Sequence, residues 1–534
     1  MIVEIISVLV TLIVFAIGFY VSMPAINFHS KAFCSMFVVL LIIFILVWNL
    51  LSFIKRRSIN KRVNQILALV TVIFILFVGL ATFISGPVFR SGTYSSRITV
   101  KDGEFDKDVP ELTDIGNIPL MDTASAKKLG DRVVGSLSDV VSQYQIADDY
   151  TTICYKGQVM KIAPLEYAGF IKYMNNKSEG IPGYVLVNPK TNEAEFVRLD
   201  NKIKYSPSAY FSNYLLRKIR FSYPTKMIDQ YNFQIDDNGT PYWVITCIEK
   251  QTFFGAEKPN EVILLNASTG ESEIYSVEKA PEWVDYIFDG DTVEELYNSY
   301  GKLSNGYINS VFGQKGCTMT TDDFGYVIKD DDVYVYTGIT STVSDESNLG
   351  FILVNSRTGD FKYYKVSGAE EYSAMSAAEG VVQNYGYSAS FPSLINIDSE
   401  PTYAMVLKDN NGLVKLYSMV NVKNYTIVAT GETLSETLKN YSAALKSAGK
   451  QVDVEDVKDD TTKEATFVIS DIQFIVKDGN TTCYIKDEQN KCYKQDFADN
   501  EDLILLKVND NITVKYDEGK EKDSIIEISS VKVN

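Results

Sequence analysis

Three uninterrupted apolar stretches, Ile5–Met23, Phe33–Ile54 and Ile66–Ser85, dominate the first 85 residues of this 534-residue chain. None of them contains a charged residue. Each has about the 20 residues that an α-helix needs to cross ~30 Å of hydrocarbon at ~1.5 Å per residue. The first stretch lacks the basic start and the small-residue cleavage site of a signal peptide. The sequence therefore predicts a three-helix transmembrane anchor over residues 1–85.

Positive charge within this anchor is concentrated between the second and third stretches. The positive-inside rule places such a loop in the cytoplasm. We therefore expect a cell-membrane protein with a cytoplasmic N-terminus and about 440 extracytoplasmic C-terminal residues. The residues that carry this topology signal are Lys55, Arg56, Arg57, Lys61 and Arg62.

The rest of the chain is strongly acidic. Residues 1–93 contain seven Lys or Arg and one Glu, a net charge of +6, so the remainder must carry −23 to give the total of −17. Such a charge keeps an ectodomain soluble and repels nucleic acid. The expected partners are the lipid bilayer and proteins, with no nucleic acid.

One β-hairpin pattern recurs three times after a predicted stalk at 86–120. In each copy an apolar strand ends in Asn, two variable residues and Thr follow, and Gly or Asn leads into a second strand. Asn starts such a turn by accepting bonds from nearby backbone, and Gly tolerates the positive φ that closes it. The turn residues are Asn188, Asn266 with Gly270, and Asn355 with Gly359, the Asn residues being 78 and 89 positions apart.

The segments between the hairpins have helical patterning, and a degenerate fourth unit covers 402–428. Residues 121–450 are therefore predicted to form repeated modules, each an antiparallel sheet plus a helix. The fold class is a membrane-anchored α+β protein. Helices are predicted at about Leu129–Tyr144, Ser208–Lys218, Asp291–Leu303, Ala374–Asn384 and Thr433–Ser447.

The apolar strand that runs into a Thr-Gly turn resembles the final strands of PepSY-type modules. This resemblance covers most of residues 121–450. It implies modules that lie outside a bacterial membrane and bind or inhibit partners, and it carries over no enzymatic activity. Residues 280–285 and 331–338 also look like segments of uncharacterised membrane-anchored envelope proteins of low-GC Gram-positive bacteria.

The C-terminal region follows a polar linker at 451–462. Five predicted strands with a short helix between the third and fourth are the order of an OB-type barrel, here residues 463–534. Residues 451–534 carry 20 Asp or Glu and 11 Lys or Arg, a net charge of −9. This charge disfavours nucleic-acid binding.

The placement of the cysteines and of the single histidine limits which disulfide, catalytic and metal sites the chain can form. Cys483 and Cys492 are symmetric about an acidic turn, which leaves two alternatives open: a disulfide across a hairpin or two separate thiols. His29, the single histidine, lies in the short loop between the first two apolar stretches. The ectodomain therefore has no Ser-His-Asp triad, Cys-His pair or histidine-rich metal site.

Carboxylates are the remaining catalytic residue type. Asp289, Asp291 and Glu294 could belong to a Ca²⁺ loop or a glycosidase pair. A helix start explains them better, with Asp291 as the N-cap and Glu294 closing a capping box. Asp331 falls in a predicted turn.

These observations predict a non-enzymatic cell-envelope protein without a cofactor or metal. Its α+β repeats would present surfaces to unknown envelope proteins or to other copies of the chain. The alternative is a membrane sensor or regulator whose modules bind an envelope peptide or inhibit a protease. A carboxylate-based wall enzyme is the least favoured alternative.

Overall fold

The computed structural model describes residues 2–55, 61–109, 111–113, 115, 118, 120–191, 193–342, 347–450, 462–477, 480–497, 500–517, 521–522, 525–528 and 530–533. The chain forms two compact units. The first comprises residues 1–111 and 118–452, and the second comprises residues 112–117 and 453–534.

The first unit begins with the anchor: α1 (Ile2–Ser22), α2 (Lys31–Ile54) and α3 (Lys61–Ser85). All three helices are long and apolar enough to cross a membrane, as predicted. Helix α2 packs against both α1 and α3. Asn49 and Asn64 join α2 to α3 by two reciprocal amide hydrogen bonds of 2.9 and 2.8 Å. Most large apolar side chains of these helices point outward, as lipid contact requires.

The segment after the anchor is folded, so the prediction of a stalk over 86–120 was wrong for its described part. Ile98 and Phe105 are buried in two different cores of the first unit. These apolar residues are too widely spaced to produce a periodic pattern, which is why the sequence resembled a stalk. The elements here are α4 (Pro87–Ser95), β1 (Val100–Gly103) and α5 (Phe105–Asp108).

The remainder of the first unit, together with α4, β1 and α5, is called the body. Module 1 (residues 123–203) is a sheet in the order β2-β4-β5-β6, with β3 also on β4. Its elements are α6 (Thr123–Gly135), β2 (Tyr144–Ile146), β3 (Thr151–Tyr155), β4 (Gln158–Tyr167), α7 (Phe170–Asn176), β5 (Ile181–Asn188) and β6 (Glu193–Ile203).

Module 2 (residues 204–276) is a four-stranded antiparallel meander in the order β10-β9-β8-β7. Its elements are α8 (Leu215–Ser222), β7 (Met227–Ile235), β8 (Pro241–Lys250), β9 (Glu257–Asn266) and β10 (Ser272–Ser276).

Module 3 (residues 286–364) has the sheet order β1-β16-β15-β13-β11, with β12 also on β13. Strand β1 joins β16 in parallel at the edge. The elements are α9 (Gly290–Leu303), β11 (Thr318–Thr320), β12 (Gly325–Lys329), β13 (Asp332–Ser341), β14 (Ser347–Asn348), β15 (Gly350–Asn355) and β16 (Phe361–Tyr364).

Module 4 (residues 368–447) has the sheet order β18-β20-β21-β22, with β19 also on β20, and β17 pairs with β14. Its elements are β17 (Gly368–Ala369), α10 (Glu371–Val381), β18 (Ser388–Ala389), β19 (Ser393–Ile397), β20 (Glu400–Lys408), β21 (Val414–Asn421), β22 (Val428–Gly431) and α11 (Leu434–Ser447).

Neighbouring modules share cores, because the central sheets bury both of their faces. In module 2, Trp243 and Leu265 belong to the core shared with module 1, and Val244 and Leu264 to the core shared with module 3. A third core joins modules 3 and 4. A sheet buried on both faces has consecutive apolar residues and no polar alternation. This explains strands such as β9, whose residues Val262–Leu265 are all buried.

The second unit has its own apolar core and two sheets. No closed barrel occurs among its described residues, and the predicted first and last strands are each broken into two that join different sheets. The linker predicted at 451–462 lies almost wholly outside the described residues. The strands are β23 (Thr462–Val468), β24 (Asp471–Lys477), β25 (Asn480–Lys486), β26 (Cys492–Asp496), β27 (Asn511–Asp517), β28 (Glu521–Lys522), β29 (Ile525–Glu527) and β30 (Ser530–Val533).

Candidate functional site

Module 2 holds the anchor at the connection between α1 and α2. The Arg220 side chain of α8 is buried, and its Nε donates to the Met23 carbonyl at 2.9 Å. The backbone N–H of Ile26 donates to the Pro224 carbonyl at 2.7 Å. Arg217 Nη2 donates to the Tyr20 carbonyl at 3.2 Å. These bonds fix the C-terminal end of α1 to α8.

The end of α3 is held by the β8–β9 connection of the same module. Phe254 N–H donates to Ser85 Oγ at 3.2 Å, and Thr252 Oγ1 donates to the Ser85 carbonyl at 3.3 Å. His29 Nδ1 lies 3.0 Å from the Phe253 carbonyl, and the Phe253 ring also contacts Phe77 of α3. The single histidine therefore has a structural partner. We call these two sets of contacts the anchor–body junction.

A third contact fastens the chain where it leaves α4. Arg97 is 2% exposed, and its guanidinium makes two hydrogen bonds of 2.9 and 2.8 Å to the Glu295 carboxylate of α9. Arg97 Nη1 also donates to the Glu257 carbonyl at 2.6 Å. Paired, planar Arg–carboxylate contacts fix orientation as well as distance. The segment that follows α4 is thus tied to modules 2 and 3.

A cavity of about 550 Å³ lies at the anchor–body junction. One wall is apolar and comes from α3, through Phe77, Leu80, Ala81 and Ile84. The other wall is polar and includes His29, Arg90, Thr93, Lys250, Gln251 and Thr252. Lys250 is paired with Glu257, whereas Arg90 has no ion pair within the described part of the chain.

A second cavity, of about 520 Å³, lies in module 1 beside the Asn188 turn. Its lining comes from α6, from β4 and from the β5–β6 hairpin, and it mixes apolar with charged side chains. We call it the module 1 groove. It is lined by Leu129, Arg132, Val133, Met160, Leu186, Asn188, Thr191, Glu193, Ala194 and Glu195.

The three predicted repeat turns have the same hydrogen bonds. Asn188 Oδ1 accepts from two backbone N–H groups, at 2.8 and 3.3 Å. Asn266 Oδ1 accepts from two at 3.0 and 2.9 Å, and Asn355 Oδ1 from two at 2.9 Å. Gly270 and Gly359 have φ of +76° and +70°, which L-residues with side chains rarely adopt. These residues position the hairpins and line no shared site.

A further repeated contact lies beside these turns and has no signal in the sequence. In modules 2, 3 and 4 the carbonyl that follows the turn Asn accepts backbone N–H groups from the segment entering that module. The Ala267 carbonyl accepts from Lys204 and Tyr205, and the Val422 carbonyl accepts from Ala369, at 2.9–3.0 Å. The Ser356 carbonyl accepts from Ile287 and Phe288. Asn421 therefore occupies the turn-Asn position of the fourth unit, although no Thr-Gly follows it.

The acidic residues singled out from the sequence have structural roles. Asp289, and not the predicted Asp291, caps α9, since its carboxylate accepts from Thr292 N–H at 2.9 Å. The Asp-Gly-Asp sequence offered both choices, and Gly290 already has helical geometry. Burial raises the pKa of Glu294 to about 7, with the nearby carboxylates of Asp291, Asp322 and Asp323 adding to the rise. Asp331 has a φ of +62° in the β12–β13 turn.

A more deeply buried carboxyl was not foreseen. Glu371, at the start of α10, has no exposed surface, and burial raises its pKa to about 7. Thr321, Asn348 and the Gly338 backbone face it and oppose that rise, while the Tyr336 and Tyr403 rings close the site. The group lies inside the core between modules 3 and 4 and is closed to solvent.

The cysteines are free, so the disulfide alternative for Cys483 and Cys492 is not realised. Cys483 lies opposite Gln495, and Cys492 lies opposite Lys486. Positions 483 and 486 are an odd number of residues apart, so the two thiols point to opposite faces of the sheet. Burial raises the pKa of Cys154 and Cys247 to about 12 and that of Cys483 to about 11.

The predicted topology signal is partly described. Lys55 caps the end of α2, and Lys61 and Arg62 begin α3. Arg56 and Arg57 lie outside the described residues. Within the described ranges, no three His, Cys, Asp or Glu side chains are arranged to hold a metal ion.

No protein-family model and no curated protein matches the chain. Among solved structures, an ACO/RPE65 chimera matches with 9% identity over 53% of this chain and 48% of that one, at a TM-score of 0.14. The chain thus aligns with about half of the chimera's length. A levansucrase mutant of B. megaterium matches with 10% identity over 83% of this chain and 97% of that one, at a TM-score of 0.18. Similarities this weak carry no argument about fold or function.

Proposed function

We propose that this is a non-enzymatic cell-envelope protein whose anchor holds the repeat body outside the cytoplasm for interaction with envelope proteins or with other copies of itself. The anchor–body junction carries the proposal. Its bonds from Arg220, Ile26 and Phe254 restrict the body relative to the helices, so the modules present their surfaces in a constant orientation. Preorganisation of this kind lowers the entropic cost of binding.

The state of the chemically capable groups supports binding over catalysis. His29 is engaged with the Phe253 carbonyl, Asp289 caps a helix, and Glu295 pairs with Arg97. The raised pKa values of Cys154 and Cys247 keep both thiols protonated at neutral pH, which makes them poor nucleophiles. Glu294, with its pKa of about 7, is the group on which the wall-enzyme alternative would depend.

The module 1 groove is the surface that we assign to a protein partner. It combines apolar side chains with Arg132, Glu193 and Glu195, a mixture that suits an extended peptide segment. It lies beside the Asn188 turn, which belongs to the hairpins that carry the PepSY resemblance. In the same proposal the second unit is an OB-like cap that binds protein and no nucleic acid.

A photo-crosslinking experiment tests this function. Benzoylphenylalanine at Glu195 in intact cells should give one discrete adduct, which mass spectrometry identifies as an envelope protein or as a second copy of the chain. The same group at exposed Lys439 of α11 serves as the matched control. Equal labelling at both positions, together with a monomer that purifies alone in nanodiscs, contradicts the proposal.

The wall-enzyme alternative is tested separately with Glu294→Gln. If this variant is as stable as the parent but loses the cellular phenotype completely, catalysis replaces binding as the function. Retention of the phenotype supports the binding proposal.

A membrane sensor or regulator is the second candidate, and the same junction favours it. A peptide that shifts module 2 would move α1 and α3 through Arg220 and Ser85. Hydrogen exchange of the full-length protein in nanodiscs distinguishes the two functions. For a sensor, partner binding changes protection at Ile26 and Phe254, whereas for a static binding protein the change stays in module 1.

A further inference from the structure

An exposed aromatic patch lies beside the end of α1. It consists of Phe170 and Ile171 of α7, Tyr210 and Phe211 before α8, and Phe221 of α8, all between 40% and 65% exposed. The rings are contiguous: Phe170 lies 5.0 Å from Tyr210 and 6.3 Å from Phe211 between ring centroids. An exposed apolar patch of this kind marks a binding surface on a soluble protein or a membrane contact.

The patch is at the level of the last turns of the first transmembrane helix. The Arg217 guanidinium lies 3.9 Å from the centroid of the Tyr20 ring and also donates to the Phe211 carbonyl at 2.7 Å. The Phe221 ring lies 5.9 Å from that of Phe19. Since Phe19 and Tyr20 belong to a membrane-spanning helix, the side chains that touch them lie at the membrane boundary.

Charge around the patch is opposite to that of the rest of the body. Residues 201–228 contain six Lys or Arg and no Asp or Glu, and residues 167–178 contain two Lys and no acid. Lys202 and Lys226 pair with carboxylates. The other six cations have no carboxylate partner among the described residues: Lys172, Lys177, Lys204, Arg217, Lys218 and Arg220, whose acceptors are backbone carbonyls. A basic surface on a body with a net negative charge is the electrostatic complement of anionic lipid headgroups.

We propose that the aromatic patch inserts into the leaflet at the Ser22 end of α1, where the surrounding lysines bind anionic phospholipid headgroups. Aromatic rings favour the headgroup level of a bilayer, and basic residues beside them bind its phosphates. The lipid surface thereby makes a contact with modules 1 and 2 in addition to the covalent anchor. Within the patch, Phe211 has a φ of +55°, a strained backbone conformation for a bulky residue. Strain of this kind clusters at functional sites.

Nitroxide depth measurements on the full-length protein test the insertion. Ile171→Cys and Phe211→Cys are labelled in a background without native cysteines whose melting matches the parent, in nanodiscs of equal phosphatidylcholine and phosphatidylglycerol. Tyr385→Cys, an equally exposed position of module 4, is the control. The ratio of oxygen to nickel-chelate collisions should be about threefold or more higher at the patch than at the control.

Two results would overturn the proposal. A ratio equal to that of the Tyr385 label places the patch in water. Labels shielded from both reagents place it against protein, either a second copy or another partner.

The proposed contact between lysines and anionic headgroups is tested with a second pair of variants. Lys172→Gln with Lys177→Gln should lower the ratio in nanodiscs that contain phosphatidylglycerol and leave it unchanged in phosphatidylcholine alone. Lys439→Gln with Lys446→Gln on α11 should change neither. Equal effects in both lipids would refute the assignment of an anionic headgroup.

Discussion

The segments that enter modules 2 and 4 occupy equivalent positions but have opposite charge. Residues 204–226 contain five Lys or Arg and no acid, whereas residues 367–385 contain three Glu and no base. Both donate backbone hydrogen bonds to the carbonyl that follows the turn Asn of their own module. The backbone contacts therefore define the module, and its helix surface is free to specialise. In module 2 that surface meets the anchor, and in module 4 it buries Glu371.

The turns shared by the modules should give the largest effect. Gly359→Val and Gly270→Val should each lower the free energy of unfolding by about 2–4 kcal/mol, because Val resists positive φ and its side chain would run into the Phe288 or Tyr205 ring. Thermal melting of the full-length protein measures this. Gly386→Val, at a positive φ in open space, is the control and should cost about 1 kcal/mol. Equal losses at all three positions would show that the rings contribute nothing.

Buried Glu371 should make the stability of the protein depend on pH through the acidic segment that enters module 4. Its folded pKa of about 7 exceeds the unfolded value, so the folded state binds the proton more tightly and stability falls as pH rises from about 4.5 to 7. Between these pH values the parent should lose on the order of 2–3 kcal/mol of folding stability, and Glu371→Gln should remove this loss. Melting at pH 5 and at pH 8 measures the difference. Glu294, whose pKa is also raised to about 7, contributes a slope of the same sign that remains in this variant.

Glu379→Gln, on the same helix α10, is the matched control for this pH dependence and should preserve it. A parent protein whose stability is constant between pH 5 and pH 8 would show that the Glu371 carboxyl is not buried as described.

The basic segment that enters module 2 should lose stability when its contacts at the anchor–body junction are removed. Arg220→Gln removes charged hydrogen bonds to the Met23 and Lys226 carbonyls and should cost about 2 kcal/mol. It should also speed amide exchange at Ile26, which hydrogen exchange with mass spectrometry detects. Arg198→Gln breaks an exposed pair with Asp139 and a cation–π contact with Phe196, both far from Ile26, and should leave both readouts near the parent. Unchanged exchange at Ile26 would argue against a rigid junction.

The turn amides should give the smallest effects. Asn266→Ala and Asn188→Ala should each cost about 1 kcal/mol, because two backbone N–H groups lose their acceptor. Asn355→Ala should cost more, since Asn355 Nδ2 also donates to Asp332 at 2.8 Å. Chemical denaturation ranks the three variants, with exposed Asn175→Ala as a neutral reference. If Asn355→Ala lowered the free energy of unfolding least of the three, the turns would not be equivalent.

Features encoded by neighbouring residues could be predicted from the sequence. The anchor helices follow from apolar length alone, and the repeat turns follow from Asn and Gly in a fixed spacing. The predicted bounds of α9 and α11 agree with the structure to one residue at each end. The helix predicted at Ser208–Lys218 actually covers Leu215–Ser222, because the aromatic residues before it extend the apolar pattern without being helical.

Features that depend on distant partners could not be predicted. Glu371 is buried beside Tyr336 and Tyr403, which other strands supply. The break at Ile469 and Ser470 sends β23 and β24 into different sheets, although the sequence there reads as one strand. The anchor–body junction has no local sequence signal, because the Arg220 side chain is bound by backbone carbonyls that lie far from it or carry no side-chain pattern, such as that of Met23.

The parallel pairing of β1 with β16 has a consequence for biosynthesis. Val100 lies opposite Phe361, so 261 residues must be made after Val100 before its partner exists. At ~5–20 residues per second, translation of these residues takes roughly 13–50 s. During this time β1, which follows the anchor in the chain, has no partner strand. Exposed edges of this kind favour intermolecular pairing. A nascent chain of this protein thus has a period of aggregation risk whose length is fixed by the position of β16 in the sequence.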